Sequence, residues 1–382
     1  MKKAILGTTA LVAVGALAAT SASAAEKIKL GLGGYFQSTY FYQDSDEPAG
    51  TPSRASDRVT HEGEVFFTGE TTLDNGIKFG VNIQLEAYTT SDQIDETYIY
   101  VDGSFGRILV GSENGAAYLM HYTSPNPTPM FYADTPNIYP TGQVITTRPN
   151  MFSDADKITY FTPRFVGFQL GASYIPDGTS ETANVGNSQY QAPNYDNGLD
   201  RGWSVGLNYV NKFGGVDLAA SAVYQEADTT VVITPAAGFA INPATGAITA
   251  ATPAVTGSGE DQYEYAFGLS VGFAGFTVGA GYGVDRNIGG VKNVDSDQWS
   301  AGVKYGAGPW AVGVQYASQT NEAPGVADFD MDTWVIGGTY DLGPGITAFG
   351  GLQIDDNDLA ASTATRMAGK TNTFFIGTAL SF

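Results

Sequence analysis

Apolar and polar residues alternate along most of this chain with a period of two. In residues 77–88, every odd position from Ile77 to Ala87 is apolar, and the positions between them hold Lys, Gly, Asn, Gln, Glu and Tyr. The same alternation recurs in residues 202–211 and 261–273. Because successive side chains of a β-strand point to opposite faces of a sheet, this pattern predicts strands with one apolar and one polar face.

The alternation predicts sixteen strands, and their connections sort into two classes. Seven short turns rich in Gly, Pro and Asn alternate strictly with eight longer loops. The predicted strands are residues 28–42, 58–73, 77–88, 94–102, 106–113, 157–163, 167–175, 202–211, 215–226, 261–273, 276–286, 297–306, 309–319, 331–341, 345–355 and 371–382. An even strand number, with short turns at one end and long loops at the other, is typical of bacterial outer-membrane barrels. The sequence therefore predicts an all-β fold, a transmembrane antiparallel β-barrel of about 16 strands.

The residue types at the polar positions distinguish this barrel from a soluble one. Gly, Ser, Thr, Asn and Gln dominate these positions, and aromatic residues stand at the ends of the apolar rows. A lipid-facing apolar band with aromatic girdles and a polar interior has this composition. A soluble β-sandwich or soluble barrel is the alternative, and its exposed face should carry more Lys and Glu.

The third long loop, residues 114–156, differs from the others. Residues 115–150 contain six prolines and show neither strand alternation nor a helical stripe. Proline has no N–H for a sheet ladder, so a central strand is excluded here. Loops of this length are uncommon unless they serve a function. We expect this loop to fold into the barrel lumen and narrow it.

The N-terminal residues have the composition of an export signal. Lys2 and Lys3 precede an apolar run, residues 5–19, and small residues follow at 21–25. This pattern predicts a signal peptide over residues 1–24, with an end uncertain by one residue, followed by a single barrel domain over 25–382. A membrane anchor is the alternative, but the run is shorter than the ~20 residues that span a bilayer. The expected location is the outer membrane.

Charge and cysteine content exclude several classes of function. The chain has 39 acidic and 18 basic residues, a net charge of −21, and no cysteine. Such a surface does not neutralise phosphates, so no nucleic-acid partner is expected. Without cysteine there is no disulfide scaffold and no thiolate chemistry. An aromatic content of 12% argues against a disordered acidic chain.

Three stretches carry a family resemblance. Residues 374–382 alternate and end in Phe382, residues 103–111 read Gly-Ser-Phe-Gly-Arg-Ile-Leu-Val-Gly, and residues 30–36 read Leu-Gly-Leu-Gly-Gly-Tyr-Phe. In these the chain resembles the sixteen-stranded, trimeric general porins of Gram-negative outer membranes. The resemblance implies a homotrimer in contact with outer-membrane lipid and lipopolysaccharide. It also implies that the barrel-assembly machinery reads the terminal strand. The Pro-Glu-Phe-Gly-Gly type sequence of many third loops is absent, and the family's mid-barrel arginine cluster is not matched.

Charged residues at inward positions are the candidates for a channel lining and constriction. They are Glu62, Glu64, Glu86, Glu96, Glu113, Asp134, Arg58, Arg107, Arg148 and Lys157. Acidic residues outnumber basic ones, and rings of carboxylates favour cations. We therefore expect a porin for passive diffusion of small hydrophilic solutes and ions, with a weak cation preference. For any single carboxylate, the alternative is a solvated rim charge or a residue paired with Arg or Lys.

Two other functions stay open at this point. A substrate-selective channel, for a sugar or a cationic nutrient, would use aromatic residues of the third loop as a stacking ladder. These residues are Tyr118, Tyr122, Phe131, Tyr132 and Tyr139. Packing of these rings against the barrel wall is the favoured interpretation. A surface binding or adhesion barrel, acting through its long loops, is the third hypothesis.

An enzyme is not expected, and no cofactor is implied. His61 and His121 are the only histidines; His61 falls on an outward position, and His121 lies near Ser124 and Asp134 in sequence. No G-x-S-x-G or similar context surrounds them, and closeness in sequence does not establish a catalytic triad. A divalent cation bridging the outer loops to lipopolysaccharide is an alternative without a spaced ligand set to support it.

Overall fold

A computed structural model describes most of the chain. It covers residues 27–46, 55–87, 93–137, 142–178, 198–234, 237–241, 248–252, 255–325, 327–358 and 368–382. The predicted signal peptide, residues 1–24, lies outside the described residues. No helix among the described residues is long and apolar enough to span a membrane.

Strands account for most of the described chain. They are β1 (Lys29–Ser45), β2 (Asp57–Thr72), β3 (Lys78–Glu86), β4 (Ile94–Gly103), β5 (Gly106–Ser112), β6 (Asp156–Phe161), β7 (Phe168–Asp177), β8 (Gly198–Phe213), β9 (Val216–Thr234), β10 (Ala237–Ile241), β11 (Ile248–Thr252), β12 (Val255–Ser258), β13 (Gln262–Phe273), β14 (Phe276–Arg286), β15 (Asp295–Ala307), β16 (Trp310–Glu322), β17 (Phe329–Gly343), β18 (Ile346–Asn357) and β19 (Thr371–Ser381). A short helix, α1 (Ala116–Met120), and a 3-10 turn at Ile288–Gly290 complete the elements.

Sixteen of these strands form one closed antiparallel barrel. Each strand from β1 to β9 pairs with the next, β9 pairs with β13, and the series continues to β19. The barrel closes where β19 pairs with β1, from Tyr35 opposite Ser381 to Ser45 opposite Thr371. Closure leaves no sheet edge unpaired, which a membrane-spanning sheet requires. The sixteen predicted strands are confirmed.

The long loop between β9 and β13 contains further strands. β9 extends to Thr234, beyond its predicted end, and β12 pairs with that extension. β10 and β11 form a separate two-stranded hairpin. Residues 227–260 are rich in Ala, Thr, Pro and Gly and do not alternate regularly, so these additions were not predicted.

The short turns follow from their residues. At the β2–β3 turn, the Ile77 N–H donates to Asn75 Oδ1 at 3.1 Å, and Gly76 has a φ of 81°. Glycine adopts this conformation without a steric penalty. The sequence Asp-Asn-Gly therefore reverses the chain in the space between two strands.

The two faces of the barrel differ in chemistry. One face carries large exposed side chains such as Leu30, Phe267 and Ile376. Tryptophan and tyrosine rings pack near its rims, with centroids 4.5 Å apart for Trp310–Tyr340 and 4.6 Å apart for Tyr316–Trp334. We call this the apolar face; it has the arrangement of a lipid-facing barrel surface. The opposite face, rich in small and polar residues, is called the polar face.

The chain between β5 and β6, residues 113–155, is called the loop segment, and its described residues, 113–137 and 142–155, run along the polar face. It contains α1, which contacts β7, β8 and β9. Further along, Phe131 is fully buried and its ring stacks on Phe375 of β19, with centroids 4.2 Å apart. Met130 and Tyr132 join the same buried apolar cluster. The loop segment therefore contacts strands from β7 around to β19 and β1.

Candidate functional site

Serine hydroxyls on the polar face hold the start of the loop segment. The backbone N–H of Ala116 donates to Ser173 Oγ at 2.9 Å, and that of Ala117 donates to Ser204 Oγ at 2.8 Å. The first N–H groups of a helix have no partner within the helix, so these hydroxyls satisfy the N-terminus of α1. Strand alternation places both serines on the face where the helix lies.

Amide and lysine side chains continue this attachment on β15 and β16. The Ala133 N–H donates to Gln315 Oε1 at 2.6 Å, and Gln315 Nε2 donates to Ser124 Oγ at 2.8 Å. Lys304 Nζ donates to the backbone carbonyl of Asn126 at 2.9 Å. Gln315 is fully buried, and its hydrogen bonds compensate the loss of water.

Glycines on the polar face allow the loop segment to approach the strands closely. A Cβ atom at Gly268 of β13 would lie 1.8 Å from the Tyr122 carbonyl oxygen. One at Gly281 of β14 would lie 2.4 Å from Thr147 Oγ1. A glycine inside a strand often marks such an approach of another backbone. These glycines therefore form part of the surface against which the loop segment packs, which we call the seat of the loop segment. The sequence did not predict this role.

Asp134 connects two separate parts of the loop segment, its own and that of Thr146 and Thr147, and binds both to β15. Its carboxylate accepts hydrogen bonds from the Thr147 N–H at 2.9 Å, Thr147 Oγ1 at 2.7 Å, Ser300 Oγ at 2.6 Å and Thr146 Oγ1 at 3.2 Å. Asp134 is buried, with 1% of its surface exposed. The carboxylate is thus occupied by contacts with the loop and the wall.

His121 belongs to the same network. Thr147 Oγ1 donates its proton to Asp134, so it accepts from His121 Nε2 at 3.1 Å. His121 Nδ1 then accepts from Ser221 Oγ at 3.3 Å. Burial lowers the pKa of His121 to about 3, so the imidazole is neutral. His121 contacts Thr147 and Ser221, whereas Ser124 Oγ donates to Ser300 Oγ at 2.9 Å.

A group of carboxylates lies on a different part of the polar face, on β2–β5 and the first and last residues of the loop segment. We call it the acidic wall. Glu64 of β2 stands opposite Glu86 of β3, and oxygens of Glu64, Glu86 and Asp95 lie within 4.8 Å of one another. Oxygens of Glu96, Glu113 and Asp154 form a second group with the same spacing.

Tyr35 of β1 adjoins the acidic wall. Its hydroxyl lies 3.0 Å from Glu62 Oε1 and 2.7 Å from Glu64 Oε1. Sequence analysis did not identify Tyr35, although its place in the alternating row Tyr35, Gln37, Thr39 predicts the polar face.

Burial changes the ionisation of Glu113, which follows β5. Its side chain accepts a hydrogen bond from the Asn114 N–H at 2.8 Å. Burial raises the pKa of Glu113 to about 7, against the effect of that hydrogen bond. This carboxyl group therefore titrates near neutral pH.

The four basic candidates are dispersed. Lys157 is buried and donates to the backbone carbonyls of Glu113 and Ser153. Arg107 pairs with Asp102 at 2.8 Å near the short turns. Arg148 of the loop segment donates to the Tyr118 carbonyl at 3.3 Å. Arg58 is exposed near the start of β2.

The third-loop aromatic residues have different environments. Phe131 and Tyr132 are buried in the cluster with Phe375, whereas Tyr118 and Tyr122 are half-buried. The Arg148 guanidinium lies over the Tyr118 ring, 5.2 Å from its centroid. Tyr139 lies outside the described residues.

Comparisons with known proteins give a family match and a fold match. A family model described as Gram-negative porin matches residues 7–360. An anion-selective porin from Comamonas acidovorans superimposes with a TM-score of 0.59 at 14% identity, covering 93% of this chain and 100% of that one. The trimer form of OmpT, an outer membrane protein of Vibrio cholerae folded in vitro, gives 0.58 at 13% identity, covering 94% and 100%. OprB of Pseudomonas putida gives 0.58 at 10% identity, covering 93% and 94%. No curated protein sequence matches.

Proposed function

The chain belongs to the Gram-negative porin family, and from that premise we propose that it forms a water-filled channel through the outer membrane. The channel would carry small hydrophilic solutes and ions by passive diffusion. Family and fold point to a channel and not to an enzyme. Export by a cleaved signal peptide, residues 1–24, is part of this proposal.

The path of solutes is inferred from which strands of the polar face the loop segment covers and which strands carry the acidic wall. The loop segment covers glycines, serines and a glutamine on β7–β9 and β13–β17. We infer that the loop segment narrows the lumen from that side and that solutes pass beside the acidic wall. This single contrast carries the proposal.

The acidic wall supports a weak cation preference. The proposed lining is Glu62, Glu64, Glu86, Glu96 and Glu113, with Arg58, Arg107, Arg148 and Lys157 as its basic members. Lys157 and Arg107 are already engaged by backbone carbonyls and by Asp102. Carboxylates in a low-dielectric passage concentrate cations. Asp134, by contrast, is assigned to holding the loop segment.

General diffusion is preferred over a sugar-selective channel because few aromatic rings are exposed in a row. Phe131 and Tyr132 pack in a buried cluster, which leaves Tyr118 and Tyr122 as candidates for contact with a solute. A stacking ladder needs several aligned faces.

Assembly is also a proposal. A homotrimer is supported by the structural likeness to OmpT of Vibrio cholerae, whose matching structure is a trimer form. We further propose contacts with outer-membrane lipid and lipopolysaccharide on the apolar face. The terminal strand ends with reciprocal backbone hydrogen bonds of 3.0 Å between Phe382 and Gly34. This closing strand is the proposed signal for the barrel-assembly machinery.

Planar-bilayer recording tests the proposed function. The folded protein should give large, non-saturating conductance steps in threes and a cation-favouring reversal potential in a KCl gradient. Anion selectivity would contradict the cation preference assigned to the acidic wall, but it would not contradict the porin function. Small currents blocked by one sugar would favour the selective channel. The absence of current from folded barrels would contradict the channel and favour a surface-binding role.

A further inference from the structure

A single tyrosine hydroxyl bridges two glutamates of the acidic wall. Tyr35 of β1 stands opposite Glu64 of β2, and Glu62 lies two residues earlier on the same face. The hydroxyl oxygen is 2.7 Å from Glu64 Oε1 and 3.0 Å from Glu62 Oε1. Both distances are within the range of O–H···O hydrogen bonds.

The number of protons limits how these two contacts form. A phenol has one proton and donates one hydrogen bond, and an ionised carboxylate only accepts. If the hydroxyl donates to Glu64, the second contact needs a protonated Glu62 that donates to the phenol oxygen; the reverse assignment is equivalent. Two hydrogen bonds among these three groups therefore require one proton beyond that of Tyr35.

We propose that Glu62 and Glu64 share one proton through Tyr35 at neutral pH, so that the pair carries one negative charge. Tyr35 is then a positioning residue that sets the charge of the channel wall. This inference rests on the proposed function, because it takes the acidic wall to line the channel. Two close carboxylates that hold one proton between them are a known arrangement in proteins.

The surroundings favour retention of this proton. Glu86 faces Glu64 from β3, Asp95 completes that acidic group, and Asp154 of the loop segment acts on Glu64 electrostatically. On the other side, β19 offers the neutral residues Ser381 and Ala379. Arg58 is four residues before Glu62 on the same face of β2. Negative groups thus predominate around the pair, and a shared proton reduces their repulsion.

Reversal potentials of four proteins test the proposal at pH 7. Glu62→Gln and Glu64→Gln should each leave the cation-to-anion permeability ratio unchanged, because the remaining glutamate keeps the single charge. The double variant removes that charge and should lower the ratio by about threefold. Equal stepwise decreases in the two single variants would overturn the shared proton. An unchanged ratio in the double variant would overturn it as well.

Tyr35→Phe removes the bridging hydroxyl and leaves both glutamate side chains in place. Without the phenol the two glutamates lose their common partner, and the ratio should rise by up to about threefold. Tyr98→Phe is the matched control, since Tyr98 is also on the polar face and its hydroxyl accepts from Asn82 at 3.3 Å. A Tyr35→Phe ratio equal to that of the unmodified protein would contradict the proposal.

Infrared spectroscopy gives a readout that does not depend on current. Difference spectra at pH 7 between the unmodified protein and each single variant, Glu62→Gln or Glu64→Gln, should show the loss of one protonated carboxyl group, because absorption by other carboxyl groups such as Glu113 cancels. Unchanged protonated-carboxyl absorption in both single variants would overturn the proposal. If folded protein carries no current but the difference spectra are as expected, the proposed function fails while the shared proton stands.

Discussion

Two parts of the polar face differ in the size and the charge of their side chains. On β13–β18, residues such as Gly268, Gly281 and Gln315 are small or neutral, and the loop segment lies directly on them. On β2–β5, Glu64, Glu86 and other carboxylates stand in their place. The loop segment therefore packs mainly on small and neutral side chains, with Lys304 and Glu264 as charged residues that it contacts, whereas carboxylates of neighbouring strands face one another on β2–β5.

The largest change in conductance is expected when a side chain fills the space at Gly268, where the loop segment packs on β13. Gly268→Val places a side chain where the Tyr122 carbonyl lies, and overpacking typically costs about 1–3 kcal/mol. We expect the loop segment to be displaced from β13 toward the acidic wall and single-channel conductance to fall. The hydrogen-bonded barrel should persist, because valine suits a strand.

Gly306→Val is the matched control for this substitution. Gly306 is on the polar face of β15, and the nearest atom to its Cβ would be the Trp310 carbonyl oxygen at 3.8 Å. Conductance should not change in this variant. A Gly268→Val channel with unaltered conductance would show that the loop segment does not narrow the path.

Removal of the Asp134 carboxylate should loosen the loop segment with less effect on the barrel. Asp134→Ala leaves the Thr147 N–H, the Thr147 hydroxyl and the Ser300 hydroxyl without their acceptor, at a cost of about 1–3 kcal/mol. Exchange of the Thr147 amide hydrogen should accelerate by about tenfold or more. Asp134→Asn keeps one acceptor and should show a smaller change. Equal exchange rates in all three proteins would exclude this role.

Neutralising the acidic wall should change selectivity without changing conductance much. A unit charge about 6 Å away in water contributes about 0.7 kcal/mol, or a factor of about three. Glu86→Gln combined with Asp95→Asn, two half-buried members of the acidic wall, should therefore lower the cation-to-anion permeability ratio by roughly tenfold at low salt. Glu226→Gln, on the apolar face, should leave the ratio unchanged. A permeability ratio that falls in Glu226→Gln but not in the double variant would disprove the role of the acidic wall.

The smallest expected effect is the pH response of Glu113. Below its pKa of about 7 the carboxyl is neutral, and above it the group adds negative charge, so cation preference should rise between pH 6 and pH 8. Because the folded-state pKa exceeds the ordinary value of 4.5, the folded protein binds more protons between these values. This contribution to the free energy of unfolding should fall as pH rises through 7. Glu113→Gln should remove this part of both responses.

The sixteen strands were predictable because their signals are local. Alternation over a dozen residues and turns such as Asp-Asn-Gly specify strand and hairpin without distant partners. The same alternation assigned Glu62, Glu64, Glu86 and Glu96 to the polar face, in agreement with the register. The extension of β9 to Thr234 was missed because the alternation stops there: Val231, Val232 and Ile233 are three consecutive apolar residues.

The seat of the loop segment was not predictable, because its contacts join distant parts of the chain. Asp134 meets Ser300, and Phe131 stacks on Phe375. The local sequence places Asp134 in the proline-rich loop, but it does not show that this carboxylate is buried against β15. A glycine within a strand signals close approach of some backbone but does not identify which one.

Single-cysteine accessibility tests the central contrast most directly, since the chain has no cysteine of its own. Asn82→Cys places a thiol on the half-buried polar face of β3, and Ala317→Cys places one on β16, at a residue with 0% exposure. A cationic thiol reagent should reduce the current of the Asn82→Cys channel and leave the Ala317→Cys channel unchanged. Block at Ala317→Cys without block at Asn82→Cys would contradict a path along the acidic wall.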